Sequence, residues 1–218
     1  MRMADSTRER VMAAALRLFG EQGFARTTVT QIERAAGLSG GSGAMYRHFR
    51  SKDELLVEAV RWRLTERGEW ASLLDPDFSV LAWLDSLEPQ GSTVDKLTML
   101  CRMGLARLEH DRDVNRILVR DNSIGTDVLE VFRREEYLVF VSAVLRGLME
   151  LTDPQRQEQD WEAAAAVVVG AVAHYWLISD TFGGEHPTAV GPDRYLRSIA
   201  EMVVARLGWT GTQGEGTA

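Results

Sequence analysis

Residues 28–56 constrain the fold of this chain most strongly, because they encode two short helices that flank a glycine-rich turn. Thr30 and Glu33 have the spacing of a capping box, which predicts a helix of about two turns over 30–36. The glycine-rich turn follows at 37–41. This order of helix, turn and helix is typical of helix-turn-helix domains that bind DNA.

The second short helix is predicted to begin at Ser42, which can cap it, and to carry residues 44–49. Ser51 and Glu54 repeat the capping-box spacing and begin a further helix over about 52–70. We expect this further helix to link the N-terminal segment to the rest of the chain.

Charge is distributed unevenly along the chain. The 218 residues carry a formal net charge of -7, whereas residues 1–52 hold nine Lys and Arg against four Asp and Glu, a net charge of +5. Residues 53–218 hold 16 basic against 28 acidic side chains, a net charge of -12. A basic head on an acidic body indicates a local DNA-binding module, because the body is too acidic to bind a polyanion.

The N-terminal residues also resemble the DNA-binding domain of the TetR family of bacterial transcriptional regulators. The matching segments are ALRLFGEQGF at 15–24, TTVTQIERAAGLS at 27–39 and MYRHFRSKDEL at 45–55, in the first quarter of the chain. The family usually has two fewer residues between Gly37 and Tyr46. The glycine-rich turn at 40–43 is therefore interpreted as an insertion.

The second helix of such a domain enters the major groove with its N-terminal residues at the base edges. Arg47 is long enough to reach either a guanine or a phosphate, and the sequence leaves both open. The resemblance implies that Tyr46 and His48 contact phosphates, although Tyr46 can also be read as a half-buried core aromatic. The predicted DNA-contacting residues are Thr28, Thr30, Gln31, Ser42, Gly43, Ala44, Tyr46, Arg47, His48 and Lys52.

The rest of the chain has helical periodicity and no convincing strand, so the predicted fold class is all-α. Further helices are predicted from Ser6 to near Gln22 and over 76–87, 93–110, 113–122, 127–151, 153–182, where Asp153-Pro154 opens the helix, and 192–207. The predicted domains are a three-helix helix-turn-helix DNA-binding domain at 1–52, a larger helical ligand-binding and dimerisation domain at 53–209, and a disordered tail at 210–218.

The last two helices have two open interpretations. The apolar run 163–173 must be covered on every face, which is consistent with a central core helix of a monomer. The resemblance instead implies that both helices pair with their copies in a four-helix bundle. The residues predicted at that homodimer interface are Ala164, Val168, Gly170, Ala171, Tyr175, Leu196, Ile199 and Val203.

The resemblance further implies a small-molecule ligand among the body helices, of unidentified chemistry. The candidate pocket residues, each of which can equally be plain core, are Met99, Met103, Tyr137, Phe140, His174 and Trp176. No cofactor is expected, and no metal site, because the histidines lack metal-ligand spacing. A single cysteine, Cys101, an N-terminus without an apolar signal segment and a longest apolar run of 11 residues indicate a cytoplasmic protein without a membrane span.

These features predict a regulator that binds double-stranded operator DNA, most simply a repressor that a ligand releases from DNA. The alternative is a ligand-independent DNA-binding regulator or activator. An enzyme is not expected, because nothing in the spacing of Cys101, His174 and Asp180 requires a catalytic set. The glycines are not a nucleotide-binding loop, because no apolar strand precedes them and no Gly-Lys-Ser/Thr follows.

Overall fold

A computed structural model describes residues 6–151 and 160–207, which form α-helices without any strand. The α-helices are α1 (Thr7–Gln22), α2 (Val29–Ala35), α3 (Lys52–Thr65), α4 (Val80–Leu87), α5 (Thr93–His110), α6 (Arg112–Arg120), α7 (Thr126–Phe132), α8 (Leu138–Leu151), α9 (Trp161–Thr181) and α10 (Pro192–Leu207). Short 3₁₀ segments lie at Met45–Arg47 and Gly68–Leu74, and a π-helical turn at Arg133–Tyr137 joins α7 to α8. The all-α fold class is confirmed. The predicted cap at Asp153-Pro154 and the predicted disordered tail lie outside the described residues.

Several helices begin or end at residues other than those that the sequence predicts. The capping box of α2 is formed by Thr28 and Gln31 rather than by Thr30 and Glu33. Helix α3 begins at its predicted cap but ends at Thr65, about five residues early. The other differences are that α4 begins after Ser79 rather than at Pro76, that the π turn interrupts the helix predicted over 127–151, and that α9 begins after its cap Asp160.

The first compact unit contains residues up to Glu69 together with His110–Leu138. Helix α1 begins with the predicted capping box of Ser6 and Glu9 and buries its apolar face against α3 and α6. Close approach of α6 is possible because a β-carbon at Gly20 would lie only 3.1 Å from the backbone of Asp113. The core of this unit includes Phe19, Ile32, Met45, Phe49, Leu55, Leu64, Val114, Ile117 and Val128.

This unit extends well beyond residue 52, where the DNA-binding domain is predicted to end. Three short helices of about 50 residues bury too little surface to be stable alone. Helices α3, α6 and α7 complete their core, because Val60, Val114 and Val128 are each at most 2% exposed. The functional division of the chain at residue 52 remains a prediction.

The second compact unit contains Trp70–Glu109 and the described residues from Val139 onward. Its core gathers apolar residues of α4, α5, α8, α9 and α10. Among the described residues, α9 alone is long and apolar enough to cross a membrane, with a hydropathy of 1.4. Val168 and Val172 of α9 pack inside this core, as in the central helix of many soluble proteins, so this helix does not indicate a membrane protein.

Candidate nucleic-acid interface

Helix α2 is fixed at its start by a reciprocal pair of hydrogen bonds. The amide of Gln31 donates to Thr28 Oγ1 at 3.3 Å, and the Gln31 side-chain oxygen accepts from the Thr28 amide at 2.7 Å. Both side chains are exposed, whereas Thr30 is half-buried. Thr28 and Gln31 therefore bind each other, and their contacts with DNA remain a prediction.

The turn after α2 is built around the carboxylate of Glu33. The spacing of Glu33 from Thr30 predicts a capping box, which does not form. Glu33 is fully buried, and one of its oxygens accepts from the amides of Gly41 at 2.7 Å and Ser42 at 3.1 Å. The other oxygen accepts from the Met45 amide at 3.1 Å. The bond from Met45 outweighs burial, and with the other amide bonds it holds the pKa of Glu33 below its usual range. Glu33 is thus an internal anion under the turn.

Two glycines give the turn its shape. Gly41 and Gly43 have φ angles of +80° and +70°, a backbone conformation that other L residues rarely adopt. A β-carbon at either position would meet nothing within 4 Å, so neither glycine is required by packing inside this chain. Both are required by backbone conformation.

The predicted second helix is wrong in its extent, because only a 3₁₀ turn at Met45–Arg47 forms there. The positive φ angles of Gly41 and Gly43, together with the Glu33 bonds to the amides, prevent an α-helix from starting at Ser42. The side chains around this turn nevertheless form a buried group and an exposed group, as contact with DNA requires. Met45 and Phe49 are buried, and the three residues between them, Tyr46, Arg47 and His48, are exposed.

The exposure of Tyr46 decides between its two interpretations. The side chain is 57% exposed, so the half-buried core reading is wrong and the ring is free to meet a partner. Ser42 is also exposed, and its oxygen accepts weakly from the Ala44 amide at 3.3 Å. The hydroxyl proton of Ser42 is left available as a donor. The predicted contacts of Ser42, Gly43 and Ala44 with DNA remain a prediction.

Lys52 has a structural role in the fold that the sequence does not reveal. Its ammonium donates to the carbonyl oxygens of Phe24 at 2.8 Å and Thr27 at 3.0 Å. It also lies 4.2 Å from the centre of the Phe24 ring. Two of its three donors are therefore used to fasten the loop between α1 and α2 to the start of α3.

Replacing Lys52 with Met is expected to lower the free energy of unfolding by about 1–3 kcal/mol, because two partly buried carbonyls lose their donor. Thermal and urea unfolding measure this loss. Lys96→Met is the matched control, because Lys96 makes one partly exposed ion pair with Asp85 and should contribute only about 0–1 kcal/mol. A phosphate-contacting Lys52 would instead show itself as a salt slope of DNA binding reduced by about one.

Asp121 also binds the loop between α1 and α2, and the sequence gives no signal for it. Its carboxylate accepts from the amide of Phe24 at 2.5 Å and from the amide of Ser123 at 3.0 Å. Burial alone would raise the pKa of Asp121, but the bonds from Ser123, Phe24 and Ala25 together hold it below its usual range. The role of Asp121 can be recognised only from contacts between residues that are far apart in the sequence.

The residues predicted at a dimer interface divide into two groups. Five of them, Ala164, Val168, Tyr175, Leu196 and Ile199, are buried within the single chain, and their contacts with a copy remain a prediction. Gly170 is exposed, and Ala171 and Val203 are half-buried. The exposed stripe of α9 is instead formed by Ala163, Val167, Gly170 and His174, with Val167 at 70% exposure. Because α9 is apolar all round, its sequence does not show which face points outward.

The candidate pocket residues differ in their burial, and their role in binding a ligand remains a prediction. His174 and Tyr137 are exposed, and Met99, Met103 and Phe140 pack against the core of the second unit. Trp176 is buried, and its indole nitrogen has no hydrogen-bond partner among the described residues.

A cavity of about 180 Å³ lies in the first unit and contains none of the predicted pocket residues. It is lined by Ala13, Leu16, Trp62, Arg63, His110, Asp111, Asp113 and Val114. Ligand pockets usually exceed about 300 Å³. This cavity is therefore small for the expected effector.

The groups that could support catalysis or metal binding are dispersed. Burial raises the pKa of the Cys101 thiol to about 12, so this cysteine is a packing residue and a poor nucleophile. No cluster of three metal-ligating side chains occurs within residues 6–151 and 160–207.

This chain is similar to several known bacterial transcriptional regulators. A family model described as bacterial regulatory proteins, tetR family, matches residues 11–59. The HTH-type transcriptional regulator AcrR of Shigella flexneri is 41% identical over 63 residues, which are 29% of this chain and only 27% of AcrR. The regulator ArpR of Pseudomonas putida is 28% identical over 188 residues, covering 82% of this chain and 84% of ArpR.

One solved structure extends the likeness of fold to nearly the whole chain. It is described as a TetR-family transcriptional regulator from Mesorhizobium loti. It has a TM-score of 0.67 at 17% identity and covers 92% of this chain and 96% of its own. Sequence similarity is therefore concentrated in the helix-turn-helix region, while the helical architecture is shared throughout.

Proposed function

We propose that this chain, a member of the TetR family of bacterial regulatory proteins, is a cytoplasmic, sequence-specific DNA-binding transcriptional regulator that acts as a homodimer. The observation that carries the proposal is the segment 42–48, which presents Tyr46, Arg47 and His48 to solvent between two buried anchors. The net charge of +5 on residues 1–52 supports binding of a polyanion at this end of the chain.

A twofold dimer would place two reading segments on one duplex, at half-sites about 34–36 Å apart or somewhat wider. The support for a dimer is the exposed α9 stripe of Ala163, Val167, Gly170 and His174, which is apolar and small-sided except for His174. On α10, Met202 is 66% exposed. Exposed apolar side chains on neighbouring helices are typical of a surface that another chain covers.

We further propose that a small molecule releases the protein from DNA, so that it acts as a repressor. The support in the second unit is a pair of buried polar atoms one turn apart on α9, Trp176 Nε1 and Ser179 Oγ, which have no partner among the described residues. Buried polar groups are normally satisfied, and polar atoms of an effector would satisfy these two. A ligand-independent regulator or activator remains the second candidate.

Selection of bound duplexes from a random DNA pool tests DNA recognition directly. We expect enrichment of an inverted repeat whose two halves match twofold symmetry. A pool that stays random after repeated rounds would contradict sequence-specific binding. Titration of an effector with and without the enriched duplex then separates the two candidates, because an inducer must bind more weakly in the presence of operator.

Arg47→Ala distinguishes base reading from backbone contact at the enriched duplex. If Arg47 reads a guanine, the variant should lose about 1–3 kcal/mol of discrimination at one base position. If Arg47 contacts phosphate, affinity should fall equally for all sequences and the salt slope should decrease by about one. Fluorescence anisotropy with singly substituted duplexes makes the measurement. An unchanged affinity for every duplex would remove Arg47 from the interface.

A further inference from the structure

Glu33 is a buried carboxylate of the first unit that accepts several backbone hydrogen bonds, and the function described so far gives it no role. It is fully buried, lies near the end of α2, and its carboxylate accepts three backbone amides that are 8 to 12 residues further along the chain. Hydrogen bonds to an ionised carboxylate are stronger than neutral ones. The three bonds therefore select one conformation of a glycine-rich turn that would otherwise be flexible.

The direction of these amides limits how the turn can meet DNA. The N–H groups of Gly41, Ser42 and Met45 point inward at Glu33, so they are not available to a phosphate. Glu33 occupies the place that an external anion takes in other turns of successive amides. What the turn offers outward is the Ser42 hydroxyl and the exposed side chains of Tyr46, Arg47 and His48.

Resting on the proposed DNA-binding function, we propose that Glu33 is the positioning residue of the DNA-reading segment 42–48. Its carboxylate holds the glycine-rich turn in the geometry that binding requires, without touching DNA itself. When the segment is already ordered, no affinity is lost to molecules that hold it in other conformations. Glu33 thereby makes a glycine-rich turn, which would otherwise be flexible, into a fixed element that sets sequence specificity.

Electrostatics alone would give Glu33 the opposite effect. A negative charge beneath a DNA-binding surface repels phosphates, so removing it should raise affinity for every duplex. The positioning role predicts a loss instead, confined to the preferred sequence. The sign of the change therefore separates the two explanations.

The test compares the wild-type chain with Glu33→Gln and with the control Glu21→Gln, which removes the same charge from an exposed site on α1. Anisotropy gives the affinities for the enriched duplex and for a scrambled duplex of equal composition. Residue-resolved amide hydrogen exchange follows Gly41, Ser42 and Met45. If the Glu33→Gln turn holds the bound geometry for only about 1–10% of the time, the specific affinity falls about 10- to 100-fold.

We expect Glu33→Gln to lose its preference for the enriched over the scrambled duplex and the protection of the three amides from hydrogen exchange. Glu21→Gln should retain both. A Glu33→Gln protein that keeps its specificity ratio overturns the proposal, whether or not the amides exchange faster. If Glu33→Gln does not fold, Glu33→Asp decides by the same two measurements, because its shorter side chain keeps the charge but withdraws it from the amides. A wild-type protein with no preference among duplexes would instead overturn the proposed function.

Discussion

Replacing Gly170 with Glu is expected to convert the proposed dimer into folded monomers. Gly170 is exposed on α9, and a β-carbon there would meet nothing within 4 Å inside one chain. The substitution should not harm the isolated chain, because glycine is a poor residue in a helix interior. In the proposed dimer, however, the carboxylate would be buried in an apolar seam without a partner, at a cost of several kcal/mol.

Sedimentation velocity and binding to the enriched duplex measure this effect together. We expect the sedimenting mass to halve and operator affinity to fall by far more than tenfold, because one reading segment alone contacts one half-site. Gly191→Glu is the matched control, since Gly191 is also exposed and open but precedes α10 outside the α9 stripe. A Gly170→Glu protein that stays dimeric would place the interface elsewhere.

Substitutions of two aromatic residues three positions apart are expected to affect different properties, folding stability in one case and DNA binding in the other. Phe49 is 2% exposed within the core of the first unit, and Phe49→Ala should cost about 3–5 kcal/mol of folding free energy. Tyr46 is 57% exposed, so Tyr46→Ala should change the free energy of unfolding by less than about 0.5 kcal/mol. Urea unfolding of the two variants measures the difference.

The same pair should separate again in DNA binding. Tyr46→Ala is expected to weaken binding to all duplexes about equally, as loss of a phosphate contact does. Phe49→Ala removes one of the two buried anchors of the segment, so its binding to every duplex should fall together with its stability. A Tyr46→Ala variant with full affinity at every salt concentration would show that the exposed ring does not contact DNA.

The helix-turn-helix could be predicted from sequence because its signals are local. The Ser51 cap, the Ser6–Glu9 capping box and the apolar spacing of α1 all depend on residues within one or two turns. Local signals of this kind place the beginning of a helix more securely than its end.

Glu33, Lys52 and Asp121 could not be assigned in this way, because each binds backbone groups that lie between 8 and 97 residues away in sequence. A glutamate three residues after a threonine has capping-box spacing in any sequence, and only the fold shows that Glu33 turns inward. The outward face of α9 was unpredictable for a different reason. A helix that is apolar on all sides carries no periodicity to orient it.

Sequence-specific DNA binding is tested most directly by a competition titration. The wild-type protein would be titrated, at physiological salt, against the enriched duplex and a scrambled duplex of the same length and composition. A specific regulator should bind the enriched duplex about 10³-fold or more tightly than the scrambled one. Equal affinities that fall together with added salt would show charge-driven binding alone and would contradict the proposed function.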